Sequence, residues 1–179
     1  MKTVAVAVIA TLSGSAAVQA EPGGDPRVII AAVDRIDRAV DAKAWDLAEK
    51  AFTAEVAVDF ESLSGQAPSR MSASDLVGMW AANLSGEKTS FHQRTNHVIA
   101  WEGPGAALVT SQAYAWNKLP SGEAAENGGN PLWEVWGTYV HRVILTDEGW
   151  RVSEMGLDVA HQRGSDYVRD TPGEPLETP

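Results

Sequence analysis

The chain has 179 residues, a formal net charge of −10 and no cysteine. One domain is expected at this length, and the missing cysteine excludes disulfides, iron–sulfur clusters, zinc–cysteine sites and a cysteine nucleophile. The acidic balance argues against nucleic acid as a partner, because neutralising phosphates needs clustered Lys and Arg. A hydrophobic content of 44% with 21% charged residues is typical of a globular protein.

The first twenty residues have the pattern of a secretory signal peptide. Lys2 precedes an apolar run over residues 4–12, and residues 18–20 (VQA) fit a signal-peptidase site. Cleavage after Ala20 is expected, which makes the mature protein secreted or periplasmic and leaves it without membrane attachment. The alternative is a membrane anchor, but residues 13–15 (SGS) interrupt the run before it reaches the roughly 20 apolar residues of a spanning helix.

Three helices are predicted in the first half of the mature chain. Asp25 can cap the first helix, with apolar residues at helical spacing on one side (Ile29, Val33, Ile36, Val40) and Arg35, Asp37 and Arg38 on the other. A second helix is expected over 42–52 and a third from a Ser72 cap to Gly86. Residues 56–60 indicate a short strand, and residues 65–70 a loop.

Four long strands are predicted in the second half, over 89–102, 106–119, 132–146 and 150–161, because apolar residues there alternate and Val, Ile, Trp, Tyr and Thr are frequent. Turn residues at 103–105 and 147–149 pair the first strand with the second and the third with the fourth. Helices followed by antiparallel strands indicate an α+β domain over 21–164. The polar residues 165–179 are expected to form a mobile tail.

Three stretches, 40–65, 90–116 and 139–152, resemble the SnoaL-like branch of the NTF2-like superfamily, and the segments DAKAWD (41–46), VDF (58–60) and MSASDLVGM (71–79) with His92 are most similar to its scytalone dehydratase-like members. The resemblance implies a cone in which a curved antiparallel sheet wraps around N-terminal helices. It also implies a catalytic His92 on the first long strand, positioned by the carboxylate of Asp41. The other polar positions of that branch differ here: its second histidine falls on Asn117, its two substrate-holding tyrosines on Val40 and Phe60, and a strand asparagine on Tyr139.

These residue types suit removal of a proton beside a carbonyl, which needs a base, a donor for the enolate oxygen and a dry cavity. His92 suits the base because imidazole has a pKa of about 6.5. Asp41 could orient a partner, act as the base if burial raised its pKa, or simply cap the second helix. The hydroxyls of Tyr139 and Tyr114 and the amide of Asn117 are the candidate donors.

Two further histidines need a placement. His141 follows Tyr139 by two residues and shares its face, so it either joins His92 in a pocket or is an ordinary core histidine. His97 is five residues from His92 and is expected on the opposite face, which argues against a metal site built from the two. No metal and no cofactor are predicted.

Two functions remain open, with a third less favoured. The first is a cofactor-free lyase or isomerase acting on a small hydrophobic cyclic molecule. The second is a non-catalytic protein that binds a small apolar ligand in the same cone. The third, a dioxygenase-type accessory subunit, conflicts with the export signal.

The outer-face Trp136 suggests a homo-oligomer, a dimer or trimer, since exposed apolar patches lower solubility.

Overall fold

The computed structural model describes residues 24–121 and 129–173; the predicted signal peptide and the end of the predicted tail lie outside them. The helices are α1 (Pro26–Asp41), α2 (Trp45–Glu49), α3 (Glu61–Ser64), α4 (Ala73–Asn83) and α5 (Asp166–Asp170). The strands are β1 (Phe52–Asp59), β2 (Ser69–Ser72), β3 (Thr89–Gly103), β4 (Ala106–Lys118), β5 (Leu132–Thr146) and β6 (Gly149–Gly164). No helix in these ranges is long and apolar enough to cross a membrane.

The predicted α+β architecture is confirmed. The six strands form one curved sheet in the order β2-β1-β6-β5-β4-β3. Strands β3 to β6 are antiparallel neighbours, and the β3–β4 and β5–β6 pairs are the two that the turn residues predicted. The sheet is not wholly antiparallel, because β1 runs parallel to β6. A short edge strand, β2, also occupies part of the predicted loop over 65–70 and pairs with β1.

Helix α1 fills the concave side of the sheet, packing against β3, β5 and β6. Its start follows the predicted cap: the Asp25 side chain accepts a hydrogen bond of 2.9 Å from the Arg27 N–H. Its predicted apolar side is buried in the core. The prediction for Asp37 is wrong, since only 7% of this residue is exposed. The reason is an ion pair with the sheet, described below.

The second and third predicted helices correspond to α2 and α4, and both are shorter than predicted. Helix α2 ends at Glu49, and Phe52 begins β1 instead of extending the helix. Helix α4 begins at its Ser72 cap, where the hydroxyl accepts a hydrogen bond of 3.0 Å from the Asp75 N–H, but it ends at Asn83 rather than Gly86.

Two local features depart from the simple strand and tail patterns. Asn96, at φ 53°, adds one residue to β3 between Thr95 and Val98, so the alternation of faces shifts by one after it. His97 therefore lies on the same face as His92, and its predicted placement on the opposite face is wrong. The predicted tail contains α5, whose Val168 is fully buried against the end of the sheet.

Candidate active site

Three acidic residues of α1 face three basic side chains of β3. The acids are three and four residues apart and therefore share one side of the helix. They form the pairs Asp34–His97 (2.9 Å), Asp37–Arg94 (2.6 Å) and Asp41–His92 (2.7 Å). The bulge at Asn96 makes the third pair possible, because without it His97 would point away from α1.

The Asp41–His92 pair is the best organised of the three. Oδ1 of Asp41 lies 2.7 Å from Nδ1 of His92 and accepts a hydrogen bond of 2.7 Å from the Ser90 hydroxyl. Oδ2 accepts a hydrogen bond of 2.8 Å from the backbone N–H of His92. The carboxylate is therefore held at both oxygens and fixes the plane of the imidazole.

These contacts decide which role is open to Asp41. Burial raises the pKa of its carboxyl, but the hydrogen bonds from His92 and Ser90 and the nearby imidazole charge outweigh burial and hold the pKa below its ordinary value of 3.8. Asp41 is therefore ionised at neutral pH and suited to orienting His92. The alternative in which burial makes Asp41 itself the base does not hold.

A cavity of about 190 Å³ opens beside His92, between α1, the loop before α3, α4 and the concave face of the sheet. Its walls are mostly apolar, and its lining residues are Ile36, Asp37, Val40, Phe60, Leu63, Trp80, Asn83, Leu84, His92, Ala115, Asn117, Trp133, Val135, Tyr139, Met155 and Leu157. The side chain of His92 is 17% exposed. With Nδ1 bound to Asp41, and no described residue bonded to Nε2, the second ring nitrogen is available to a molecule in this cavity.

Arg94 occupies the layer behind the cavity. Its guanidinium forms two hydrogen bonds to Asp37, lies 4.3 Å from the ring centroid of Tyr139 and donates to Nε2 of His141 at 3.1 Å. Burial, followed by the Arg94 charge, lowers the pKa of His141 well below 6.5, so this histidine is neutral and accepts from Arg94. His141 is fully buried and does not line the cavity, which makes it a satisfied core histidine.

Tyr139 lines the cavity next to this layer. Burial is the main cause that raises the pKa of its hydroxyl, so the phenol stays protonated and can act only as a hydrogen-bond donor or acceptor. No described residue bonds to the hydroxyl. Asn117 lines the same cavity from β4, and Val40 and Phe60 supply apolar wall.

Tyr114 does not line the cavity. It lies between inward-facing Ala113 and Ala115, so it points to the other face of the sheet, where its hydroxyl donates to Glu134 at 2.7 Å. The expectation that Tyr114 serves as a substrate donor is therefore corrected. The structure brings together Asp41, His92, Asn117 and Tyr139 with the two apolar positions, and it separates Tyr114 and His141 from them.

Sequence reasoning missed Asp37, Arg94 and Asn83 near the site. The spacing of Asp34, Asp37 and Asp41 indicates that all three lie on one side of α1, because residues three and four apart in a helix are neighbours. This acidic stripe is a sequence signal for basic partners on a facing element. No group of three or more His, Cys, Asp or Glu in residues 24–121 and 129–173 is arranged to hold a metal ion.

A curved sheet closed by a helix around a cavity is the NTF2-like cone fold. A family model described as the SnoaL-like domain matches residues 25–156, and the chain belongs to this SnoaL-like family. No curated protein matches the chain.

Solved structures agree on the fold. The Kfla4162 protein of Kribbella flavida is 28% identical with a TM-score of 0.71, covering 78% of this chain and 93% of that chain. A Novosphingobium aromaticivorans protein provisionally described as a scytalone dehydratase is 14% identical, with a TM-score of 0.61 and coverage of 86% and 93%. Hexachlorocyclohexane dehydrochlorinase LinA-type3 of Novosphingobium barchaimii is 13% identical, with a TM-score of 0.60 and coverage of 86% and 94%. At these identities the last two show a common fold alone.

Proposed function

We propose that the protein is a cofactor-free lyase or isomerase that removes a proton beside the carbonyl of a small hydrophobic cyclic molecule. One observation carries this proposal: an imidazole oriented by an ionised carboxylate presents its second nitrogen to a mostly apolar cavity. Two of the similar structures bear names of elimination enzymes, a dehydratase and a dehydrochlorinase, which supports the same class of reaction.

The proposed reaction begins when Nε2 of His92 takes the proton from the carbon beside the carbonyl. The electron pair left behind moves onto the carbonyl oxygen, where Tyr139 or Asn117 donates a hydrogen bond to the enolate. Asp41 stabilises the imidazolium that forms. In a dehydration, the enolate then expels the β-hydroxyl as His92 returns the proton to it, which yields water and a double bond. In an isomerisation, the proton returns to another carbon instead.

Deuterium exchange tests the first step without knowledge of the natural substrate. The protein is incubated with α-tetralone, an apolar cyclic ketone, in D2O, and loss of the proton beside the carbonyl is followed by NMR. The wild type is expected to accelerate exchange, and His92→Gln to lose about 10²-fold or more of that rate, as general bases commonly contribute 10²–10⁴-fold. His97→Gln is the matched control, since His97 forms a similar pair with α1 but does not line the cavity. Equal rates in wild type and His92→Gln contradict the proposal.

The second candidate is a non-catalytic carrier of a small apolar ligand. It is favoured by the cavity wall, where Val40 and Phe60 provide no polar group to a substrate. In the same experiment, this function predicts that α-tetralone binds to the wild type, as shifts in the NMR spectrum, while exchange stays at the rate of buffer.

Export and self-association are part of the proposal. The sequence of residues 1–20 supports export with cleavage after Ala20, and N-terminal sequencing of the mature protein tests it. Aromatic side chains on the outer face of the sheet support a homo-oligomer: Phe91 stacks on Trp116 with centroids 6.0 Å apart, and Tyr114 lies 5.0 Å from Trp136.

A further inference from the structure

The side of α1 that faces away from the sheet contributes to a basic groove of about 480 Å³. Eight residues line this groove, and the four charged ones among them are all cationic: Arg35, Arg38, Lys50 and Arg151. The chain as a whole has a formal charge of −10 and only 14 Lys and Arg residues. The groove shares no lining residue with the His92 cavity, and no carboxylate lines it.

Two of the four cations are fixed by the backbone. Arg35 donates to the carbonyl oxygens of Trp150 at 2.5 Å and Ala32 at 3.2 Å, and Arg151 donates to the same Trp150 oxygen at 3.2 Å. The two guanidinium groups therefore lie side by side. Burial and then the charge of Arg151 lower the pKa of Arg35, as expected for cations held close together without a neutralising partner between them.

The other two cations complete the groove from exposed positions. Arg38 lies in the last turn of α1, and Lys50 follows the end of α2. Neither forms an ion pair with any residue in the described ranges. Of the four cations, only Arg151 contacts a carboxylate in those ranges. Its guanidinium lies 3.3 Å from the carboxylate of Glu148, whose side chain is largely exposed. The groove thus concentrates positive charge on an acidic protein.

We propose that this groove is a binding site for a phosphate-bearing anion with two or more negative charges. Arginine guanidinium groups match phosphate oxygens with paired hydrogen bonds, and two guanidiniums already fixed by backbone carbonyls lose little freedom on binding. Arg38 and Lys50 are exposed and line the same groove, so they can add two further cationic contacts to the anion. The shared chemistry is a phosphate group, either on a soluble molecule or on a lipid head group. This second site is independent of the chemistry proposed for His92.

Calorimetric titration with inorganic tripolyphosphate at physiological ionic strength, about 0.15 M, tests the soluble form of the ligand. Sedimentation with vesicles of phosphatidylcholine and phosphatidic acid tests the lipid form. The double variant Arg38→Gln/Lys50→Gln is expected to weaken binding at least tenfold. The matched control is Arg70→Gln/Lys118→Gln, which removes the same charge from exposed positions outside the groove and is expected to bind within about twofold of the wild type.

The two arms decide the source of the phosphate and the fate of the proposal. Binding of tripolyphosphate that the groove variant loses supports a soluble ligand, and binding of vesicles alone with the same loss supports a lipid head group. Absence of binding in both arms overturns the proposal. So does an equal loss in the groove variant and its charge-matched control, because binding would then follow net charge rather than this groove.

Discussion

The function proposed here depends on which nitrogen of His92 carries the hydrogen. Asp41 accepts from Nδ1 and from two further donors, the Ser90 hydroxyl and the His92 backbone N–H. A carboxylate has enough lone pairs for all three donors, and this arrangement leaves the lone pair of Nε2 for the cavity. The orienting acid should therefore matter to the chemistry almost as much as the base.

Replacing Asp41 with an isosteric amide tests this dependence. Asp41→Asn offers a single acceptor oxygen to three donors, and its NH2 group can turn the imidazole into the other tautomer. We expect the deuterium-exchange rate to fall by about 10²-fold or more. Asp34→Asn is the control, since it alters the neighbouring Asp34–His97 pair and should leave the rate unchanged. An unchanged rate in Asp41→Asn would show that orientation by this acid is unnecessary.

Arg94 is expected to matter first for stability. The side chain of Arg94 is 1% exposed and the side chain of its partner Asp37 is 10% exposed, so removing the guanidinium leaves a buried carboxylate without its counter-charge. Arg94→Met should lower the free energy of unfolding by about 3–5 kcal/mol, measured by urea denaturation. Asp37→Asn/Arg94→Met should recover part of the loss, because neither charge is then left alone. A loss below about 1 kcal/mol in the single variant would mean that water reaches the pair.

At the residue scale, sequence reasoning reached part of the site. The family resemblance predicts a set of site residues, and the structure places four of them around or beside one cavity: Asp41, His92, Asn117 and Tyr139. The helical pattern predicts Asp37 on the solvent side, because a charged residue on an amphipathic helix usually faces water. Its partner Arg94 lies on β3, far away in the sequence, and no local sequence pattern predicts an ion pair between such distant residues.

At the scale of elements, Lys88 joins the C-terminal segment to the rest of the domain. The residue is fully buried, and Nζ donates to Oδ1 of Asn83 at 2.8 Å and to the carbonyls of Thr171 at 2.8 Å and Arg169 at 3.3 Å. The three N–H groups of the ammonium thus have three acceptors, and two of these acceptors lie at the end of α5. Lys88 thereby holds α5 against the end of the sheet.

Lys88→Met should release this segment. The variant removes the lysine donor from all three acceptors, of which the Arg169 carbonyl still accepts from the Asn83 amide at 3.1 Å. We therefore expect α5 to open more often and trypsin to cleave faster after Arg163 and Arg169. Mass spectrometry of timed digests measures the rate. Lys118→Met, at an exposed position, is the control. Identical cleavage in all three proteins would show that the buried contacts of Val168 hold α5 without Lys88.

The same lysine predicts a pH dependence. Burial lowers the pKa of Lys88 from 10.5 to about 8 in the folded protein, despite the opposing effect of Asp170. Between pH 8 and 10.5 the unfolded chain therefore binds more protons at this position than the folded one. The contribution of Lys88 to the free energy of unfolding should rise with pH across that window, by at most about 1.4 kcal/mol per pH unit. Urea denaturation of wild type and Lys88→Met checks this, and a difference that falls with pH contradicts it.

The elements themselves were largely predictable from sequence, with physical reasons for the exceptions. Alternation over many residues predicted the four long strands, and β5 has the predicted bounds. Strand β2 and helix α5 are four and five residues long, too short for periodicity to appear. The bulge at Asn96 is a single inserted residue, and it alone reverses the predicted placement of His97.

At the scale of the whole molecule, charge and aromatic residues are distributed unevenly. The basic groove lies on one side of α1, the acidic stripe that binds β3 lies on another, and the aromatic groups lie on the outer face of the sheet. Alternation along β5 predicts that Trp136 faces outward, but the sequence does not predict that Tyr114, expected in the cavity, lies beside it. The sequence did not predict the groove, whose four cations come from three separate segments.

Self-association is the prediction at this scale. Trp136→Lys places a charge among the aromatic groups of the outer face and should convert an oligomer into monomers in sedimentation velocity experiments. Met79→Lys is the control, because Met79 is 60% exposed on α4, away from the sheet face. A wild type that sediments as a monomer at all concentrations would contradict the homo-oligomer.

In the proposed function, His92 holds its hydrogen on Nδ1, toward Asp41, and keeps Nε2 free to accept a proton in the cavity. Long-range 1H–15N correlation NMR measures this tautomer directly at a pH where the ring is neutral, with His92→Gln to assign the signal. We expect a protonated Nδ1 and an unprotonated Nε2 whose chemical shift changes when α-tetralone is added. A neutral ring with its hydrogen on Nε2, or an Nε2 signal that does not change when the ligand is added, would contradict the proposed role of His92.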